Sequence, residues 1–217
     1  TISMSIFLRM KNASKRISVH PTAIIHKTAS IGQGCVIGPN VYIGESAYIA
    51  PYCVIGGVPE HREFYSNPPN KFGVHIEAGA RISSFTTIDA GTIRDTFIGQ
   101  GSVIHNHSHV AHDCQLMPGS LLGGHATLAG DVLLFDGAIV SGKSAVHQHC
   151  VVGHYAFVGA DSFLNSNVPS GQLWVGSPAR PAGNNEVGLS RAGMNYVQCQ
   201  TKFSEIFLNE CNRRKPQ

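Results

Sequence analysis

The chain has 217 residues, with 16 Lys and Arg, 13 Asp and Glu, 12 His and a formal net charge of +3. This length suits one main domain with a modest appendage. The charge is too small and too scattered to indicate nucleic-acid binding, and no apolar stretch approaches the roughly 18 residues that a membrane span requires. We therefore expect neither a nucleic-acid partner nor a transmembrane segment.

Only 13% of the residues are Asp, Glu, Lys or Arg. That fraction is low for a monomer whose whole surface faces water, so we expect part of the outer face to be covered by further copies of the chain. Residues 1–16 show no signal-peptide pattern and are predicted to form a flexible leader.

Most of the chain, from Val19 to Leu164, carries an aliphatic residue at every sixth position, usually with a small residue four positions later. An α-helix repeats every 3.6 residues and a two-sided strand every 2, so neither explains this period. Hexapeptide repeats bury their apolar faces by stacking into a parallel β-helix. With three hexads in one triangular coil, each residue lies above the residue 18 positions earlier.

Two interruptions break the sixfold spacing, one between Ile55 and Ile76 and one between Ile88 and Ile98. The first leaves room for an excursion over residues 57–73, and the second adds four residues near 90–96. Binding residues concentrate on loops that leave a rigid scaffold. Both insertions are therefore predicted to contact substrate, and the first, which carries His61, is predicted to form a wall of the site.

Four histidines crowd into one short segment between the two halves of the repeat: His105, His107, His109 and His112. None occupies an interior position of the hexads, so all four should point outward or lie at coil corners. Such imidazoles can be a general base, a metal ligand or a subunit contact.

His112 precedes Asp113, and a carboxylate beside an imidazole fixes its tautomer and stabilises the imidazolium. One coil above His112 lies Gly130, whose exposed amide is a possible donor to an oxyanion. Gln148 lies one coil further on, with His147 beside it. A base, an oriented carboxylate and an amide one coil away are what acyl transfer requires.

The last part of the chain departs from the repeat. Residues 169–190 contain three prolines and four glycines and are predicted to close the final coil without regular structure. Beyond them, a stripe of Val197, Phe203, Ile206, Phe207 and Cys211 predicts a short helix.

The six cysteines do not have the spacing of a disulfide framework. Cys35 and Cys53 are 18 residues apart and Cys114 and Cys150 are 36 apart, so each pair falls in one column of small interior positions. There a cysteine acts as a compact apolar residue. A reduced, cytoplasmic setting is expected.

Three segments, HVAHDC, ATLAGDV and SAVHQHC, resemble the left-handed β-helix UDP-N-acetylglucosamine O-acyltransferases that begin lipid A synthesis. The opening VHPTAII and the loop GGVPEHREFY are also similar, and the resemblance covers residues 18–193. It implies an all-β fold: a left-handed parallel β-helix over 17–182, with a short helical C-terminal extension over 183–217.

The resemblance also implies the site. His112 matches the family's catalytic base, Asp113 its carboxylate partner and Gly130 its oxyanion-hole glycine. The positions implied to bind substrate are His61, His109, His147, Gln148, Asn185 and Arg191, and Ala160 matches the position that measures the acyl chain. The implied partners are an acyl carrier protein, whose phosphopantetheine thioester is the co-substrate, a nucleotide sugar and two further copies in a homotrimer. No resident cofactor or metal is implied.

Several positions depart from the family pattern and leave the substrate open. His61 and Glu63 stand where the family's first loop has an aspartate and a lysine. Asp131 replaces a histidine, and Val187 and Ala192 replace residues on the nucleotide side. These changes preserve the base and alter the sugar-recognition set, a pattern that indicates a paralogue.

Three alternatives stay open at this point. The segment GSPARP resembles the exit segment of CoA-dependent sugar acetyltransferases, so acyl-CoA is a possible donor to an N- or O-linked acceptor. His107 and His112, with His75, have a spacing similar to that of β-helical carbonic anhydrases. A trimer that binds ligand without turnover is the third alternative.

Overall fold

A computed structural model describes residues 16–60 and 71–214. Residues 1–15 of the predicted leader, and residues 61–70 of the first insertion, which include His61 and Glu63, lie outside this range.

The described chain winds into a prism whose three walls, here called sheets A, B and C, are built from short parallel strands that follow one another in turn. Sheet A contains β1 (Ser18–Val19), β4 (Val36–Ile37), β7 (Val54–Gly57), β10 (Thr87–Asp89), β13 (His109–Val110), β16 (Thr127–Leu128), β19 (Ala145–Val146) and β22 (Phe163–Leu164). Sheet B contains β2 (Ile24–Ile25), β5 (Val41–Ile43), β8 (Val74–Ile76), β11 (Thr96–Ile98), β14 (Gln115–Leu116), β17 (Leu133–Leu134) and β20 (Val151–Val152). Sheet C contains β3 (Ser30–Ile31), β6 (Tyr48–Ile49), β9 (Arg81–Ile82), β12 (Val103–Ile104), β15 (Leu121–Leu122), β18 (Ile139–Val140), β21 (Phe157–Val158), β23 (Gln172–Gly176) and β24 (Ala179–Asn184).

The register confirms the predicted columns. His109 pairs with Thr127 and Val110 with Leu128, each 18 residues apart. The aliphatic residue of nearly every hexad is fully buried along the axis of the prism, as are the small residues four positions later. The hydrophobic effect therefore sets the spacing, because only a sixfold repeat returns one apolar side chain to the axis from each wall.

The segment 169–190, predicted to be irregular, is ordered instead. Strand β23 continues sheet C beside β21, and β24 pairs with it as an antiparallel hairpin. A short helix α1 (Glu186–Arg191) follows. The prediction was wrong because the prolines lie at positions of the antiparallel edge strand and its turn, where no ladder amide is needed.

The C-terminal helix α2 (Tyr196–Arg213) confirms the predicted helical tail and part of its buried stripe. Phe203 and Phe207 are buried as predicted, and Cys199 joins them at a spacing of four to face the β-helix. Val197 and Ile206, which the sequence placed in the stripe, are exposed. Helix α2 begins with a capping box formed by Asn195 and Gln198, which satisfies amides of its first turn.

Helix α2 packs on the upper part of sheet B, where Phe207 meets Leu133, Phe135 and Val151. Over the ranges 16–60 and 71–214, no helix combines the length and the apolar character needed to cross a membrane. Among the described residues, none of the six cysteines takes part in a disulfide bond.

Candidate active site

A groove with a volume of about 370 Å³ runs along sheet A and the corner that follows it. It is lined by Glu60, His109, Ala111, His112, Thr127, Ala129, Gly130, Gln148 and His149. Three consecutive coils contribute all of these residues except Glu60, which comes from the first insertion and lies about 90 positions before His149 in sequence. Of the positions that the histidine cluster and its column predicted, the groove collects His109, His112, Gly130 and Gln148.

His112 and Asp113 form a hydrogen-bonded pair at the corner after β13. The Nδ1 atom of His112 lies 2.7 Å from Oδ2 of Asp113. This hydrogen bond raises the pKa of His112 above its ordinary value, and the charges of Asp113, Asp89 and Asp131 act in the same direction against the effect of burial. The pair therefore fixes the tautomer of His112, with Nδ1 committed to the carboxylate.

The second insertion holds Asp113 rather than simply lining the groove. The amides of Thr92, Ile93 and Arg94 donate to Oδ1 of Asp113 at 2.8, 2.9 and 3.1 Å. The Thr92 hydroxyl donates to Oδ2 at 2.6 Å. Burial by itself would raise the pKa of Asp113, but the hydrogen bonds from His112, Thr92 and Ile93 outweigh burial and hold that pKa well below its usual range. Asp113 consequently stays ionised beside His112.

His109 lies on the floor of the groove, on β13. Its Nδ1 atom is 2.7 Å from the Thr87 hydroxyl, and its buried Nε2 atom lies 3.6 Å from a Glu60 oxygen and 3.9 Å from an Asp89 oxygen. Asp89 is buried, accepts the Glu60 amide at 3.2 Å, and has a pKa raised by that burial. Two carboxylates therefore face His109.

The sequence analysis did not single out Asp89 or Glu60 as site residues. Asp89 directly follows Ile88, the last aliphatic residue before the second insertion, and Glu60 stands in the first insertion. Their position beside the two breaks in the sixfold repeat is the signal that points to them.

Gly130 lies directly against the ring of His112. A β-carbon at this position would come within 2.7 Å of Cε1 and 2.8 Å of Nε2 of His112. Glycine is therefore required at this position to make room for the imidazole. The Gly130 amide has no acceptor among the described residues, so it remains available to the groove.

The remaining predicted residues do not all join the groove. His147 is exposed and, with Gln148, lines an adjoining cavity of about 260 Å³ near the end of α2. Asn185 and Arg191 line a cavity of about 320 Å³ together with Ile139 and Phe157 of sheet C. Within a single chain these two residues lie on a different wall from His112.

Asn185 also has a structural explanation, and two further predicted residues lie outside the cavities or outside the described range. The Asn185 side chain caps α1 by accepting the Gly188 amide at 3.1 Å, and donates to the Tyr155 carbonyl at 2.8 Å. Ala160 is exposed at a coil corner and lines none of the three cavities. His61 lies outside the described residues, so its predicted place in the site stays a prediction.

The histidines proposed as metal ligands lie apart. The ring of His107 stacks between Phe85 and His125 at the corner between sheets C and A, and that of His75 stacks between Tyr42 and Phe97 on sheet B. In the described part of the chain, no three His, Cys, Asp or Glu side chains converge as metal ligands would.

Comparison with known proteins points to one group of enzymes. The profile of the bacterial transferase hexapeptide family (six repeats) matches residues 22–57. An acyl-[acyl-carrier-protein]–UDP-N-acetylglucosamine O-acyltransferase from Halorhodospira halophila is 35% identical over 147 residues, which are 66% of this chain and 56% of that protein. The chain thus spans about half the length of the curated relatives that it matches.

Solved structures agree over a longer part of the chain. The UDP-N-acetylglucosamine acyltransferase from Campylobacter jejuni is 29% identical, with 86% of this chain and 81% of that chain covered and a TM-score of 0.63. The UDP-N-acetylglucosamine O-acyltransferase from Moraxella catarrhalis is 28% identical, with 82% of this chain and 79% of that chain covered and a TM-score of 0.62. The chain is therefore a left-handed parallel β-helix built from hexapeptide repeats, and its resemblance to the UDP-N-acetylglucosamine O-acyltransferases is confirmed.

Proposed function

We propose that the protein is an acyltransferase that moves an acyl group from an acyl-carrier-protein thioester to the 3-hydroxyl of UDP-N-acetylglucosamine or a related nucleotide sugar. The observation that carries this proposal is the His112–Asp113 pair, which lines a groove in a chain similar to such enzymes. The comparisons favour neither the CoA-dependent acetyltransferase nor the carbonic-anhydrase alternative.

In the proposed reaction, Nε2 of His112 takes the proton of the acceptor hydroxyl while the hydroxyl oxygen attacks the carbonyl carbon of the thioester. Asp113 stabilises the imidazolium that forms, since its carboxylate stays ionised. The carbon–sulfur bond of the tetrahedral intermediate then breaks, and the departing thiolate takes the proton from His112. Protons balance over the cycle, and the acyl carrier protein leaves as the free thiol.

The Gly130 amide is the proposed donor to the oxyanion. It lies one coil above His112, and no described residue uses it. An amide that is already oriented stabilises developing charge without further reorganisation, and removing such a donor typically costs about 10²- to 10³-fold in rate.

We further propose that the protein acts as a homotrimer whose sites lie between subunits. Arg191 and Asn185 lie on the wall formed by sheet C, whereas His112 lies at the edge of sheet A. One chain therefore cannot bring both sets to one ligand, and a neighbouring copy is needed to supply the second set. The low charge content of the surface supports such contacts.

The absence of disulfide bonds among the described cysteines supports a reducing compartment, so we propose that the protein works in the cytoplasm. We also propose that it needs no resident cofactor. Ala160 and His61 remain proposed contacts for the acyl chain and the sugar. His109, His147 and Gln148 remain proposed contacts for the nucleotide sugar.

The function is tested with UDP-N-acetylglucosamine and a panel of acyl-carrier-protein and acyl-CoA donors. We expect transfer from carrier-protein thioesters by the wild type, its loss in His112→Ala, and its retention in His105→Ala, an exposed histidine outside the groove. Transfer that survives in His112→Ala would remove His112 as the base. A preference for acetyl-CoA would favour the alternative donor.

The shared site is tested by mixing two inactive variants, His112→Ala and Arg191→Ala, after joint unfolding and refolding. If neighbouring subunits supply the two residues, mixed trimers contain intact sites and activity returns. Activity that stays at the level of the separate variants, or a monomer in sedimentation, would contradict the trimeric site.

A further inference from the structure

A cluster of charged side chains lies beside the groove and has no part in the proposed proton transfer. Asp131 accepts hydrogen bonds from Arg94 at 2.7 Å and Arg214 at 2.8 Å on Oδ1, and its Oδ2 lies 3.0 Å from Nδ1 of His149. These side chains come from the second insertion, the end of α2 and the coil above. We call Asp131, Arg94, Arg214 and His149 the Asp131 cluster.

Two members of the cluster are largely removed from water, whereas the side chains of Arg94 and His149 are 41% and 38% exposed. The side chains of Asp131 and Arg214 are 12% and 8% exposed, and Arg214 also bonds the Asp131 carbonyl at 2.6 Å. A buried charge without a partner is unfavourable, so Asp131 and Arg214 depend on each other. Because Arg214 holds Asp131, Asp131 is a fixed hydrogen-bond partner for the Arg94 side chain.

Arg94 connects this cluster to the catalytic pair. Its guanidinium binds Asp131, while its own backbone amide donates to Asp113 at 3.1 Å. The loop that carries it is tight, since a β-carbon on Gly91 would lie 1.6 Å from the Arg94 carbonyl oxygen. Arg94 thus joins the Asp131 cluster, through its side chain, to the amides that hold Asp113.

We propose that Arg94 is a positioning residue for the His112–Asp113 pair, and that Asp131, itself held by Arg214 of the C-terminal helix, fixes Arg94 in place. The helix thereby contributes to the geometry of the base without touching the reacting atoms. The kinetic consequence rests on the proposed function, but the effect on the His112 imidazole does not.

The direction in which the pKa of His112 changes distinguishes a positioning role of Arg94 from the role of a nearby positive charge. Asp113, Asp89 and Asp131 face His112 and favour its protonated form. If Arg94 acted only as a nearby cation, its removal would raise the pKa of His112. If it positions the amides that hold Asp113, its removal loosens the hydrogen bond to His112, and the pKa of His112 falls.

The test is an NMR titration of the His112 ring nitrogens in the full chain, assigned with a His112→Gln variant. We expect the titration midpoint to fall by at least about half a pH unit in Arg94→Met. The fall should be smaller in Arg94→Lys, because lysine keeps the charge but lacks the planar fork. Arg81→Met is the matched control, since Arg81 lies over Tyr48 on sheet C, and its midpoint should not move.

A midpoint that is unchanged or higher in the folded Arg94 variants would overturn the proposal. Should Arg94→Met fail to fold, Arg94→Lys carries the test, together with amide hydrogen exchange at residues 92–94, which positioning predicts to be faster. If neither the midpoint nor the exchange rate changes, the proposal is overturned.

In kinetics, the acid limb of kcat/KM should move to lower pH with the midpoint, whereas loss of folded protein lowers every rate equally. If the wild type shows no acyl transfer, the proposed function fails while the titration still decides the role of Arg94.

Discussion

Two histidines of this chain occupy opposite environments, one in the groove and one beneath the C-terminal helix. His112 is paired with an ionised carboxylate, which raises its pKa. His154 is buried between the rings of Phe135 and Phe203, with ring centroids 4.3 and 3.9 Å away, and burial lowers its pKa to about 4. The same side chain is thus prepared to accept a proton in one place and to remain neutral in the other.

The difference shows that burial alone does not make an imidazole reactive. Nδ1 of His154 has no hydrogen-bond partner among the described residues, so no hydrogen bond there stabilises a charge, and burial outweighs the nearby charge of Asp136. His112 is also partly buried, but Asp113 and the loop amides behind it favour the charged form. The following predictions test this contrast, from the largest expected effect to the smallest.

Replacing His112 by alanine should have the largest effect. Without the base, kcat/KM for acyl transfer should fall by about 10²- to 10⁴-fold, the usual contribution of a positioned general base. Stability should change little, because the His112 side chain lies in the groove and not on the axis of the prism. The measurement is steady-state kinetics, with thermal unfolding as a check on stability. The His154→Ala variant should show the opposite pattern, with a lower stability and a smaller effect on kcat/KM of the folded protein.

Gly130→Ala should displace the His112 ring, because the new methyl group would lie within about 3 Å of it. We expect a fall of about 10²-fold in kcat/KM, as for misplacement of a catalytic group by about 1 Å. Gly124→Ala is the matched control, since its β-carbon would come no closer than 3.4 Å to any atom. Equal activity of the two variants would show that Gly130 is not needed to seat His112.

His154 should make the protein less stable in acid. Its pKa of about 4 lies below the ordinary 6.5, so the unfolded chain binds more protons, and stability falls as the pH drops below about 6.5 and levels off below about 4. Between pH 7.5 and pH 5 this group should cost about 2 kcal/mol. The His154→Phe variant keeps the stack of rings but has no imidazole to titrate. Its free energy of unfolding, measured with denaturant, should therefore fall less between pH 7.5 and pH 5 than that of the wild type. The same acid dependence in both proteins would assign it to other groups.

Asn195→Ala should have the smallest effect, by weakening the helix that covers His154. Loss of the capping box at the start of α2 should lower the free energy of unfolding by about 1 kcal/mol. Amide exchange in the first turn of α2 should become faster, while the groove at His112 is unaffected. Asn184→Ala, at an exposed position outside the helix caps, is the control.

Much of this architecture follows from local pattern. The sixfold spacing predicts the parallel β-helix, and the column of 18 places Gly130 above His112, because stacked coils leave each hexad only one way to bury its aliphatic residue. The His112–Asp113 pair is also local, since the two residues are adjacent. Corner positions with positive φ, such as Asp113 and Asp131, suit aspartate, which tolerates that backbone conformation.

Contacts between distant segments have no such period, and the sequence did not contain a signal for them. The amides of residues 92–94 reach Asp113 only after the second insertion folds back, and Arg214 reaches Asp131 across 83 positions. His154 lies at a coil corner, and it is buried because α2 packs over it. The sequence by itself determined the coils and the His112–Asp113 pair, because both depend on neighbours at fixed spacing. Only the tertiary structure decided what holds the base in place, because that depends on where an insertion and a terminal helix pack.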